Sequence, residues 1–103
     1  MKRIILAALV SLVVSGPAMS EQDGNYLYSK CSDPENTHVG YCLGYIEGVV
    51  DIYRGSKFYL ERNVTLGQAQ DIVKRWLANN PQYRHYGAPS LIAGALSQAF
   101  PCK

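Results

Sequence analysis

The sequence predicts an all-α protein: a small four-helix bundle that follows a cleaved leader and is held by at least one disulfide. Three observations predict it. Apolar residues recur at spacings of three, four and seven in separate segments, no stretch alternates apolar with polar residues as a strand would, and short links rich in Pro, Asn and Gly separate the periodic segments.

The leader comes first. Lys2 and Arg3 precede an apolar run from Ile4 to Val14, Gly16-Pro17 ends it, and Ala18-Met19-Ser20 has the small-x-small form of a signal-peptidase site. The run falls short of the roughly 20 apolar residues that a membrane span needs. The prediction is a signal peptide over 1–20, cleavage after Ser20, and one domain over 21–103. Removing 1–20 from the 103 residues leaves 83, few enough that core burial alone is marginal. The chain has ten Lys and Arg against eight Asp and Glu; losing Lys2 and Arg3 leaves the mature chain neutral. Without a basic patch, nucleic acid and anionic membrane are not expected partners.

Residues 21–31 (EQDGNYLYSKC) predict a first helix with Tyr26, Leu27 and Cys31 on one face, and Pro34 blocks its continuation through 32–37. The second helix is predicted over 38–54, with an apolar stripe of Cys42, Tyr45, Ile46, Val49, Ile52 and Tyr53. Gly40, Gly44 and Gly48 fall on a neighbouring line. Each weakens the helix by about 0.8–1 kcal/mol against alanine, so the expectation is a flat strip on which another helix or a second subunit lies closely, by analogy with small-residue contacts in membranes. Gly55-Ser56 ends this helix, and 56–64 reads as a loop.

Thr65 and Gln68 form a capping-box signature at the start of a third helix, whose apolar side carries Leu66, Ala69, Val73, Trp76 and Leu77 with Ile72 beside them. Asn79-Asn80-Pro81 stops it. After the aromatic link 81–88, Pro89 opens a fourth helix with Leu91, Ile92, Ala95, Leu96, Ala99 and Phe100 on its apolar face.

Chemistry is sparse. The two histidines, His38 and His85, lie in predicted links, and no local nucleophile signature accompanies them, so no catalytic residue is assigned. Glu47 and Asp51 sit four apart on the second helix and read as a solvated face with Arg54 as neighbour. Asn63-Val64-Thr65 matches a glycosylation sequon but reads as a helix start. No metal site or cofactor is expected. Cys31, Cys42 and Cys102 form no CxxC pair; export to an oxidising compartment predicts at least one disulfide and leaves an odd sulfur. The segment Tyr83-Arg84-His85-Tyr86 is the most interface-like, since Tyr and Arg are enriched at binding hot spots.

Four local patterns resemble the Rap/Tai family of immunity proteins, which protect bacteria from peptidoglycan-cleaving effectors of type VI secretion. They are Gly24-Asn25-Tyr26-Leu27-Tyr28 with Cys31, Cys42-Leu43-Gly44-Tyr45-Ile46-Glu47-Gly48, Asn63-Val64-Thr65-Leu66 entering a helix, and Ala99-Phe100-Pro101-Cys102. The resemblance implies a Gram-negative periplasmic protein that binds an amidase-type effector toxin rather than turning over a substrate, and some members are dimeric. The family's Cys-x-Pro before the third helix is replaced here by Tyr59-Leu60-Glu61. In an up-down bundle Cys31 and Cys42 meet at one end, whereas Cys102 lies at the other, near Tyr59. A Cys31–Cys42 bridge with Cys102 unpaired or intermolecular is therefore predicted. The expected partner contact is Tyr83, Arg84, His85 and Tyr86, and a homodimer is expected on the glycine line. Two other classes compete: a periplasmic acid-stress chaperone of the HdeA type, and an inhibitor of another cell-wall hydrolase.

Overall fold

A computed structural model describes residues 22–102; the leader, its cleavage point after Ser20, and Glu21 and Lys103 lie outside the described residues. The described residues form four α-helices, α1 (Gly24–Ser32), α2 (Asn36–Tyr53), α3 (Leu66–Asn79) and α4 (Ala88–Ala99), with a 3-10 turn at Pro81–Tyr83. Among the described residues there is no strand, only two isolated bridges. Every helix packs against the other three.

Local chemistry explains the helix ends. The Asp23 side chain accepts from the Tyr26 N–H at 2.9 Å and starts α1, three residues later than the sequence predicts. An Asx turn, in which Asp33 Oδ1 accepts from the Glu35 N–H, redirects the chain past Pro34. It lets α2 begin at Asn36 rather than 38, so His38 belongs to the first turn of α2 and not to a link. The Thr65–Gln68 capping box forms in both directions, as the sequence predicts.

The core is a single cluster. Leu27 and Cys31 from α1, Cys42, Ile46, Val49 and Val50 from α2, Val73 and Leu77 from α3, and Leu91, Ile92 and Leu96 from α4 supply it. The Cys31–Cys42 disulfide joins α1 to α2 across a Cα–Cα distance of 5.0 Å, the pairing expected from the bundle's geometry. Cys102 is a free, exposed thiol.

Two expectations about α2 are corrected. Ile52 is 72% exposed, and Val50 takes its place in the core. At about 100° per residue, Ile52 stands roughly 100° from the centre of the Cys42–Ile46–Val49–Tyr53 stripe, too far round to reach the core. The glycine line is not beside the stripe but opposite it: Gly40, Gly44 and Gly48 are exposed, and a Cβ at any of them would meet nothing within 4 Å. Of the two uses expected for that strip, packing against another described helix of this chain is not realised.

The 56–64 loop is more than a connection. Phe58 is the largest fully buried side chain, and Leu60 is buried beside it. Gly55 adopts φ +87°, the left-handed residue after the α2 C-cap, and its N–H donates to the Phe58 carbonyl at 2.8 Å. Arg54 Nη2 donates to the Leu60 carbonyl at 3.2 Å, and the Tyr59 N–H donates to the Phe100 carbonyl at 3.0 Å. The loop is thereby pinned between the ends of α2 and α4. Tyr59, which stands where the resemblance to the family implies a further cysteine, meets the chain segment that leads to Cys102.

Candidate functional site

The link between α3 and α4 is built by hydrogen bonds that pull its polar groups inward and leave its rings outside. Asn80 Nδ2 donates to the Trp76 carbonyl at 2.8 Å, closing the C-terminus of α3. Arg84 reaches back to the same end. Its Nε donates to the Leu77 carbonyl at 2.7 Å, its Nη2 to the Ala78 carbonyl at 3.3 Å, and its guanidinium lies 4.1 Å from the Tyr28 ring centroid. A cation on the last carbonyls of a helix also meets the negative end of the helix dipole. The half-buried Arg84 thus serves the fold, and the forked donor expected to face a partner is turned inward.

The start of α1 is laced onto this link. The Gly24 N–H donates to the Tyr86 carbonyl and the Asn25 N–H to the Arg84 carbonyl, both at 2.9 Å, and the Ala88 N–H donates to the Gln22 carbonyl at 2.7 Å. Such an approach needs glycine: a Cβ at position 24 would stand 2.8 Å from the Arg84 carbonyl oxygen and collide with Leu91.

With the backbone fixed, the rings project. Tyr83 is 42% and Tyr86 52% exposed. Trp76 stacks on Tyr83 and Tyr83 on Tyr86, each at 6.0 Å between centroids, and His85 tilts against Tyr86 at 4.3 Å. Trp76, Tyr83 and Tyr86 wall a hollow of about 580 Å³ whose other side is α4, at Ser90, Leu91, Gly94 and Gln98. Trp76 packs half-buried against the core on the side of α3 that the sequence predicts, and its ring also meets Tyr83; the seven-residue step from Trp76 to Tyr83 across the helix end is the sequence signal that joins them. Hollows of this size, apolar with a few polar groups, are the usual form of a recognition site.

The remaining groups lie elsewhere. His38 Nδ1 is 2.7 Å from Asp33 Oδ2 at the α1–α2 corner, beside the disulfide. The backbone hydrogen bond from Glu35, and then the bond to His38, hold the Asp33 carboxyl below the usual carboxylate range. Glu47 and Asp51 are exposed on α2 and, with Arg54, line a hollow of about 140 Å³. On the other flank of α2, Tyr41 meets Tyr26 edge-on at 5.7 Å and lies 5.9 Å from Tyr45, with Lys30 over the Tyr26 ring. Among the described residues no group of three or more His, Cys, Asp or Glu is placed to hold a metal ion, and no helix is long and apolar enough to cross a membrane.

Fold and surface define the class: a small, disulfide-linked, all-α protein that presents solvent with an aromatic hollow on one side and a glycine-lined helix face on another. The chain belongs to the family of Rap1a immunity proteins, whose sequence profile matches residues 23–102. No curated protein matches it.

Proposed function

We propose that the protein is a periplasmic immunity protein that binds and occludes a peptidoglycan-cleaving, amidase-type effector delivered by type VI secretion, with no chemistry of its own. Membership of the Rap1a family over nearly all of the domain carries this reading. The ladder of exposed Tyr83 and Tyr86 on half-buried Trp76 supports it, because aromatic residues at a desolvated contact are the usual hot spots. The leader and the disulfide agree with an oxidising, extracytoplasmic site of action. The mature chain is neutral, so contact quality rather than long-range steering sets the affinity.

The effector contact is centred on Tyr83 and Tyr86, with His85 beside them and Arg84 holding the link in shape. The glycine line of α2, open in the monomer, is the face on which a homodimer forms. Titration of an amidase-type effector encoded beside the gene, its nucleophile replaced, tests the contact. Tyr83→Ala and Tyr86→Ala are each expected to weaken binding about thirtyfold, the cost of truncating a central anchor. Wild-type affinity in both, with loss on substitution of Glu47 or Asp51, would move the contact to α2. Gly44→Leu is expected to abolish self-association in sedimentation while leaving the helix content intact.

A further inference from the structure

The outer line of α4 is unusually low. Ser90, Gly94 and Gln98 stand on it, all exposed, and a Cβ at Gly94 would meet nothing within 4 Å. A glycine in a helix interior weakens the helix relative to alanine, and no atom of the described chain requires one here. Its consequence is a merger of two hollows. The aromatic hollow of about 580 Å³ and a second of about 330 Å³, walled by Tyr53 and Lys57 and floored by Ala93 and Ser97, share Ser90 and Gly94. Together they form a saddle that crosses α4 at the one residue without a side chain.

Among the described residues the one charged side chain that lines the saddle is a cation. Lys57 lines its smaller lobe, with Nζ 5.6 Å from the Tyr53 ring centroid. Arg75 lines an adjoining hollow of about 320 Å³ on the far side of Trp76. Among the described residues no carboxylate lines any of the three hollows. Glu47 and Asp51 border a separate hollow on α2, and Asp33 and Asp71 another beside the disulfide.

We propose that this saddle seats one segment of the effector protein, and that the segment carries a large apolar side chain flanked by carboxylates. The apolar side chain enters the lobe walled by Trp76, Tyr83 and Tyr86, the segment's backbone passes over Gly94, and an acidic side chain meets Lys57. The aromatic lobe selects the anchor, and Lys57, with no described carboxylate in the saddle, selects the flanking charge. The proposal rests on the immunity reading above and specifies the chemistry of its partner.

The experiment fills the saddle from its floor. Gly94→Phe adds a ring where the backbone has open space and replaces glycine by a better helix former, so the variant is expected to melt no lower than wild type. The probe is the nucleophile-silenced amidase-type effector encoded beside the gene, titrated by calorimetry. Gly94→Phe is expected to weaken binding at least about thirtyfold. Lys57→Glu is expected to weaken it as well, more at low than at high salt. A folded Gly94→Phe that binds like wild type overturns the saddle and leaves the immunity reading standing. Conversion of a dimer to a monomer by Gly94→Phe, with effector affinity unchanged, overturns it in favour of a second copy of this chain. An effector that fails to bind the wild-type protein overturns the immunity reading, and the saddle proposal with it.

Discussion

Replacing Gly44 and Gly48 together by alanine tests what α2 does with its open face. Both are interior to an 18-residue helix, both are exposed, and a Cβ at either meets nothing within 4 Å. No steric penalty inside the monomer opposes the gain in helix propensity, about 0.8–1 kcal/mol at each site. The two sites lie one turn apart on one face without shared partners, so the gains add to about 2 kcal/mol. For a domain of this size that corresponds to a rise of roughly 8–16 °C in melting temperature. The assay is thermal denaturation by circular dichroism at a concentration where sedimentation gives the monomer mass, with Gly24→Ala as the contrast. Position 24 faces the Arg84 carbonyl oxygen and Leu91, so the same change there is expected to destabilise by about 1–3 kcal/mol. A double variant that melts below wild type as a monomer would refute the reasoning, because something within the chain would then occupy the space that is open on α2.

Phe58→Ala removes the largest fully buried side chain and is expected to lower stability by about 3–5 kcal/mol in urea unfolding, although it sits in a loop. Replacing Cys31 and Cys42 by serine together, which opens a bridge between residues 11 apart, is expected to cost about 3 kcal/mol by the same measurement. Because the Asp33 carboxyl is held below its ordinary value in the fold, its stabilisation is complete above the unfolded carboxylate pKa of about 4 and is lost as the pH falls below it through the lower folded value. Asp33→Asn is therefore expected to flatten the stability profile below about pH 4; an unaltered acid limb would show that the Asp33 carboxylate contributes nothing.

Periodicity and short-range chemistry made most of the bundle legible from the sequence alone. The Thr65–Gln68 capping box and the stop at Asn79-Asn80-Pro81 depend on residues within a few positions of one another and formed as read, and so did the Leu91, Ile92, Ala95 and Leu96 part of the α4 face; Ala99, expected on that face, is exposed, and Ala88 and Ala93 are buried instead. The Cys31–Cys42 pairing followed from the ends at which helices of an up-down bundle meet. Of the candidate contact, the segment 81–88 was visible as a cluster of rings, but its partition was not. Only the tertiary structure turned Arg84 onto the α3 carbonyls and left Tyr83 and Tyr86 outside, since the choice depends on where the last turn of α3 and the Tyr28 ring stand. Only it placed Phe58 in the core, because a lone aromatic in a loop has no periodicity to reveal its side. The glycine line was read as a packing strip from spacing alone. Which helix face meets the core is set by the sum of all contacts on α2, and that sum turned Gly40, Gly44 and Gly48 to solvent.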